Sequence, residues 1–419
     1  MISRINPSDI SGSIYSRPSK SSMQRAVAAS LLCDGLSLIS NISESADSLS
    51  ALKMAECLGA TIHRDGDTLR IIGGLKPVCH ELNCGESGLG VRLFSAIASL
   101  CEEEIALTGS GSVLKRPMGM IEDSLRILGA KVESSSGYLP LKIRGPIRGG
   151  RLEIDGSLSS QLISGLLFAL PLLDEDSSLV IDSLKSKPYI DLTINVLESF
   201  GIKIENRNYR EIYIKGGQEY LPSIYRVEED WSGISFIAVL GAISGRVTVK
   251  GLSLTSVQSD RIIIDFLSKA GAKIITRDNE ITVSPGKLKP FEFDISDCPD
   301  LAPPLTALAA YCKGKSVLKG TARLAAKESN RSETLKKEFA KLGVEIDIRE
   351  DSMEIHGKNK ILPAEVDSHS DHRIAMALAV AAAGAEGQVI INGSEAVSKS
   401  YPGFFDDMAK LGLDLELIN

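Results

Sequence analysis

Long hydrophobic runs are missing from this sequence. No apolar stretch approaches the roughly 20 residues that a membrane-spanning helix needs, and the N-terminal "MISRINPSDISG" is polar, without the apolar core of a secretory signal. An excess of positive charge is missing too. The 47 Lys and Arg residues face 54 Asp and Glu, for a formal net charge of −7. That excludes a general binder of nucleic acid or anionic membranes, but not a small, concentrated basic site. The seven cysteines, at 33, 57, 79, 84, 101, 298 and 312, are odd in number and form no CxxC pair. They argue against a disulfide framework or a zinc knuckle and fit a reducing compartment. Aromatics are sparse, with one Trp. The expectation is a cytoplasmic globular protein of two or three domains, from 419 residues with 43% hydrophobic and 24% charged side chains.

What is present is a repeat. Six segments share a helix end, a Gly and an alternating strand: "ECLGATIHRDGDTLRIIGG", "RILGAKVESSSGYLPLKIRG", "ESFGIKIENRNYREIYIKGG", "SKAGAKIITRDNEITVSPG", "AKLGVEIDIREDSMEIHG" and "AKLGLDLELIN". Their glycines, 59, 129, 201, 271, 343 and 412, are spaced by 70, 72, 70, 72 and 69 residues. Gly just past a helix end accepts positive φ without Cβ strain. The alternation that follows predicts hairpins with one buried face. Each unit adds a nearly all-apolar helix, such as "QRAVAASLL", "VRLFSAIASL" and "RIAMALAVAAA", which should be buried. The expected class is α+β, three units plus three, with a seam near "YRVEEDWSG".

Chemistry gathers just before the buried helices. There stand Lys20, Ser21 and Arg25; the glycine loop "CGESGLGVR" with Gly88 and Arg92; Ser159, Ser160 and Gln161; Asp230; Asp300; and Asp371, His372 and Arg373. Cations at a helix N-terminus oppose its dipole, so an anion is the natural occupant, although a plain N-cap also accounts for the serines. "KRPMG" holds Arg116, "KSKPYID" holds Ser186 and Tyr189, and "SKSYPG" holds Lys399. In "RLAAKESNR", Arg323, Lys327 and Arg331 recur at i+4 and would share one face if that segment is helical, with Glu328 off the stripe. "DSHSDH" is a weak candidate metal cluster, against the simpler reading of Asp371 as a helix cap.

Taken together in chain order, "SKSSMQR", "GESGLGVR", "RPMG", "SSQ", "SKPYID", "PD", "KESNR", "DHR" and the final lysine segment resemble the 5-enolpyruvylshikimate-3-phosphate synthase family over nearly the whole chain. The resemblance implies two similar domains, each of three βαβαββ units. One would span residues 20–227, the other 1–19 with 228–419, with the active site in an interdomain cleft. It implies transfer of enolpyruvyl from phosphoenolpyruvate to the 5-hydroxyl of shikimate 3-phosphate by addition and elimination, with neither metal nor cofactor, in a monomer, and glyphosate as an inhibitor.

Carried over by motif, Lys20, Ser21, Arg25, Ser159, Ser160, Gln161, Ser186, Tyr189, Asp300, Arg323 and Lys327 would hold shikimate 3-phosphate. Lys20, Gly88, Arg116, Gln161, Arg331, Arg373 and Lys399 would hold phosphoenolpyruvate. Asp300 would deprotonate the hydroxyl, Glu328 would protonate the methylene carbon with Lys20 assisting, and Asp371 and His372 would position neighbours. Glu86 and Leu89 depart from the Asn and Thr frequent in the family's glycine loop, and Glu86 is expected to face away or pair with Arg92. Some nine cations around one cleft would repel one another, about 4 kcal/mol per pair at 4 Å and an effective dielectric of about 20. Closure is therefore expected to follow substrate binding. The rivals are the sister transferase acting on UDP-N-acetylglucosamine, whose reactive Cys the "GSVLKRPMG" loop lacks, and a non-catalytic anion-binding scaffold.

Overall fold

The computed structural model describes residues 1–157 and 159–418. The chain forms two compact units. One is Pro18–Glu228; the other joins Met1–Arg17 to Glu229–Asn419.

In the Pro18–Glu228 unit, the second repeat displays the pattern most simply. Strand Glu81–Asn83 leads through helix Gly88–Ala98 to the parallel strand Glu104–Thr108, and helix Gly119–Ile127 leads to the hairpin Lys131–Ser135 and Tyr138–Arg144. This is βαβαββ. The alternation of "YLPLKIR" sets the buried face, with Leu139, Leu141 and Ile143 inward and their neighbours outward. The third repeat, with strands Arg151–Asp155, Ser177–Asp182, Ile204–Arg207 and Glu211–Ile214, follows the same order. The first repeat lacks a strand before its helix Lys20–Leu32. Ile224–Arg226, from the far end of the unit, takes that place, parallel to Leu36–Ser40.

The other unit closes in a related way, using the N-terminus. Ile10–Tyr15 runs parallel to Gly245–Lys250, and Ile2–Ile5 lies antiparallel between Val389–Asn392 and Leu415–Ile418. The first fifteen residues thus complete two of its sheets. The remaining sheet orders Glu292–Asp294, Gly314–Lys319, Ser352–Gly357 and Glu345–Ile348.

The apolar helices are the core of each unit. Lys20–Leu32, Gly88–Ala98 and Gln161–Ala169 bury their length in one cluster. Trp231–Ser244, Ala302–Ala310 and His372–Ala382 do so in the other. Each Leu, Ile or Phe buried there contributes about 1.5–3 kcal/mol. Small residues let the helices approach: a Cβ on Gly165 would lie 2.4 Å from the Arg92 carbonyl oxygen. The six repeat glycines have φ between +84° and +113°, the left-handed region that ends each helix.

Two expectations need correction. Cys57 and Cys79 are joined as a disulfide, while the other five cysteines are free and buried. Cys57 ends a helix, and the returning segment bonds back to it through the Val78 and Cys79 N–H groups at 2.8 and 3.2 Å. A spacing of 22 residues with no motif does not reveal that return. Nor is "RLAAKESNR" one helix. A 3₁₀ turn covers Ala322–Ala326, and the α-helix begins only at Arg331, capped by the Asn330 side chain. Arg323, Lys327 and Arg331 therefore do not form an i+4 stripe.

Candidate active site

In the Pro18–Glu228 unit, Ser19 is the N-cap of the first buried helix, accepting from the Ser22 N–H at 3.3 Å. Lys20, Ser21 and Arg25 consequently lie within the first turns, not before them. Lys20 Nζ meets Asp47 Oδ2 at 2.6 Å, where Asp47 opens the next helix. Arg25 is only 1% exposed. Its guanidinium donates to Thr193 Oγ1 at 2.9 Å, Ser21 O at 2.9 Å, Ser164 Oγ at 3.4 Å and Tyr189 O at 3.5 Å. These are neutral acceptors, so burial pulls its pKa down to about 10.

The other helix starts add polar groups. Ser87 caps Gly88–Ala98 and donates to Gln24 on the first helix at 2.8 Å, tying the two helix starts together. A Cβ on Gly88 would fall 2.1 Å from Arg116 Nη1. The space beside Gly88 is thus filled by a guanidinium. Glu86 accepts from the Ser112 N–H at 2.9 Å and steadies the turn that leads to Arg116. Ser159 Oγ accepts from the Gln161 N–H at 3.2 Å beside the buried Ser160. Ser186, at φ +58°, precedes the Lys187–Ser199 helix, and the Tyr189 N–H returns to its carbonyl at 3.1 Å. A non-glycine residue in the left-handed region is backbone strain of the kind found at ligand sites.

In the other unit, six of the sequence-derived residues form one ionic network. Arg331, 1% exposed, is its centre. It donates from Nε to Asp371 Oδ2 at 2.9 Å, from Nη1 to Asp300 Oδ1 at 2.8 Å, and from Nη2 to Glu328. Arg373 Nη2 reaches Asp300 Oδ2 at 3.0 Å, and Lys327 Nζ lies 3.4 Å from Asp300 Oδ1. Burial opposes the Asp300 charge, but Arg373, Lys327 and Arg331 outweigh it and hold the carboxyl well below its usual range. Burial draws the Lys327 ammonium down, with Asp300 opposing. Asp371 also caps the last buried helix through the Arg373 N–H at 3.0 Å, with His372 packed beside it, its Nδ1 3.8 Å away. Lys399 joins through the Ser370 carbonyl at 2.6 Å. Arg323 donates to Ser296 O at 3.4 Å and lies close enough for its charge to act on Lys327.

The network holds as many carboxylates as cations, and Lys20 has Asp47. The expected repulsion among bare cations is therefore offset around Arg331 and at Lys20.

Some residues escaped the sequence reading. Asp47, Ser164 and Thr193 support Lys20 and Arg25. Asp260, nearly fully buried, accepts from Ser232 Oγ and from Ser259 Oγ at 3.2 Å. Burial, then the Asp300 charge, push its carboxyl up to about 6. A polar residue on a short 3₁₀ turn gives no sequence signal for this. The "DSHSDH" group does not gather as metal ligands, since His369 meets Glu338 and Asp371 meets Arg331. Among the described residues, Asp347, Glu354 and His356 have metal-ligand proximity, but Glu354 already pairs with Lys315 and Arg349.

The family model for EPSP synthase (3-phosphoshikimate 1-carboxyvinyltransferase) matches residues 5–408. The chain belongs to the EPSP synthase family. Among relatives named 3-phosphoshikimate 1-carboxyvinyltransferase, one from Clostridium kluyveri is 38% identical, over 98% of this chain and 97% of its own. Another, from Clostridium perfringens, is 39% identical over 97% of each. The solved EPSP synthase of Acinetobacter baumannii superposes with a TM-score of 0.83 at 26% identity, covering 99% of this chain and 100% of its own. The enolpyruvyl transferase NikO from Streptomyces tendae shares the fold, with a TM-score of 0.82 at 18% identity over 99% and 98% of the two chains. As an EPSP synthase family member the chain is an enzyme acting on small molecules, and its fold is that of the enolpyruvyl transferases. Among its described residues no helix is long and apolar enough to cross a membrane.

Proposed function

We propose that this chain transfers the enolpyruvyl group of phosphoenolpyruvate to the 5-hydroxyl of shikimate 3-phosphate and releases phosphate. Both substrates are phosphorylated carboxylates, so the protein must offer several cations in fixed positions. Arg suits planar, bidentate anions, and Lys acts as a point charge. Lys20, Ser21, Arg25, Ser159, Ser160, Gln161, Ser186 and Tyr189 bind shikimate 3-phosphate, joined by Asp300, Arg323 and Lys327. Arg116, beside Gly88, binds phosphoenolpyruvate with Lys20, Gln161, Arg331, Arg373 and Lys399.

The observation that carries the reading is the pairing of two carboxylates with different surroundings in one network. Asp300 is kept ionised by three cations and takes the proton of the attacking hydroxyl. Glu328 meets the Arg331 Nη2 group and delivers a proton to the methylene carbon. Addition gives a tetrahedral intermediate. Elimination then returns a proton from the new methyl carbon to Glu328, expels phosphate and forms the enol ether. Acid–base assistance of this type is worth about 10²–10⁴ in rate, and fixed orientation of both substrates supplies much of the rest. Asp371 and His372 position Arg331 and Arg373.

The proposal includes action in the cytoplasm as a monomer, with glyphosate competing for the phosphoenolpyruvate cations. The sister reaction is disfavoured by the absence of Cys from the 111–119 loop. The nearby Cys84 is buried, and burial pushes its thiol up to about 12, which suits no nucleophile. Phosphate release from phosphoenolpyruvate, measured with each acceptor, tests the assignment. Shikimate 3-phosphate is expected to support turnover and UDP-N-acetylglucosamine none; the reverse result, or none with either, overturns it.

A further inference from the structure

We infer that Glu338 and His369 form a positioning pair that holds the turn presenting Asp371 and Lys399. This rests on the assignment above of Lys399, and of the Arg331 and Arg373 that Asp371 positions, to phosphoenolpyruvate. The turn, residues 367–371, is strained: His369 and Ser370 are consecutive non-glycine residues at φ +51° and +56°. Such a backbone persists only if its surroundings dictate it.

The dictating element is the Arg331–Lys341 helix. Arg331 and Glu338 are seven residues apart, two turns, and so share one face. Arg331 grips the Asp371 carboxylate at the end of the strained turn. Glu338, its side chain 0% exposed, grips the beginning. Its Oε2 accepts from the Asp367 N–H at 2.9 Å and from Lys341 Nζ at 2.7 Å. Its Oε1 meets His369 Nε2 at 2.8 Å. A carboxylate only accepts, so the imidazole donates. Burial opposes the Glu338 charge, but His369, then Lys341 and the Asp367 N–H, hold its carboxyl below the usual range.

The His369 N–H itself returns to Asp367 Oδ1 at 2.5 Å, and the Ser370 N–H to Ser368 Oγ at 3.2 Å. From this braced turn the Ser370 carbonyl receives Lys399 Nζ at 2.6 Å, and the Asp371 carboxylate receives Arg331 and the Arg373 N–H. One helix face therefore fixes three substrate-binding cations through a single turn.

His369 is partly exposed, so its substitution leaves the core intact. His369→Ala is expected to raise KM for phosphoenolpyruvate about tenfold, the loss of one charge-assisted hydrogen bond. It should leave kcat within about twofold and the Kd for shikimate 3-phosphate unchanged. His369→Gln, whose amide reaches toward Glu338 Oε1, is expected to restore most of the KM. An unchanged KM in His369→Ala, with or without a lower Tm, overturns the inference, as does a folded His369→Gln no better than Ala. Wild-type turnover with shikimate 3-phosphate tests the functional assignment separately.

Discussion

Replacing Arg331 with Ala removes one cation from three carboxylates. Asp371 loses most, because its side chain is 0% exposed and Arg331 is its partner at 2.9 Å. It keeps the Ser329 hydroxyl at 3.0 Å and the Arg373 N–H. Asp300 keeps Lys327 and Arg373. Breaking a buried ion pair by deleting one partner costs about 3–5 kcal/mol. In a unit of roughly 150–250 residues each kcal/mol lowers Tm by about 2–4 °C, so a fall of roughly 6–20 °C is expected. Calorimetry at neutral pH measures it. The reasoning also predicts a coupling. Asp371→Asn in the Arg331→Ala background removes the stranded charge, so the double variant should be more stable than the sum of the single effects by at least about 1 kcal/mol. A Tm within about 2 °C of wild type, or strict additivity, would refute the claim that Arg331 neutralises a buried carboxylate cluster. Arg331→Lys should rescue little, since a point charge does not span three acceptors.

Two other outcomes follow from the geometry. Gly88→Ala puts a methyl 2.1 Å from Arg116 Nη1, and the flexible guanidinium, not the backbone, must yield. KM for phosphoenolpyruvate should rise about tenfold with Tm nearly unchanged; an unaltered KM would show that Arg116 does not bind it. Asp260, with its carboxyl raised to about 6 from 3.8, holds a proton that the unfolded chain releases, so its contribution to stability is lost as pH rises from about 4 to 6. Asp260→Asn removes that loss, and the variant should gain on wild type by the order of 3 kcal/mol between pH 4 and 7.5. A difference in unfolding free energy that does not change with pH would sink this reading.

Repeat and core were written in the one-dimensional pattern. Glycines about every 70 residues, each after a helix and before an alternating strand, dictate six helix-to-strand turns by local sterics. Helices apolar all round have nowhere to go but inside. The ordered motifs identified the family and named the residues that the structure gathers around Arg331. Local pattern failed where partners are distant in sequence. It did not say that Ile2–Ile5 and Ile224–Arg226 complete sheets begun elsewhere, because a short strand's partner is chosen by backbone hydrogen bonding, not by its own composition. Nor did it find Cys57 beside Cys79, or Glu338 beneath His369. It also overstated the bare charge of the site. Lysines and arginines can be counted in a sequence, but whether Asp47, Asp300, Glu328 and Asp371 neutralise them depends on side chains meeting across folds of the chain. Only tertiary packing, by excluding water from those meetings, decides how each charge behaves.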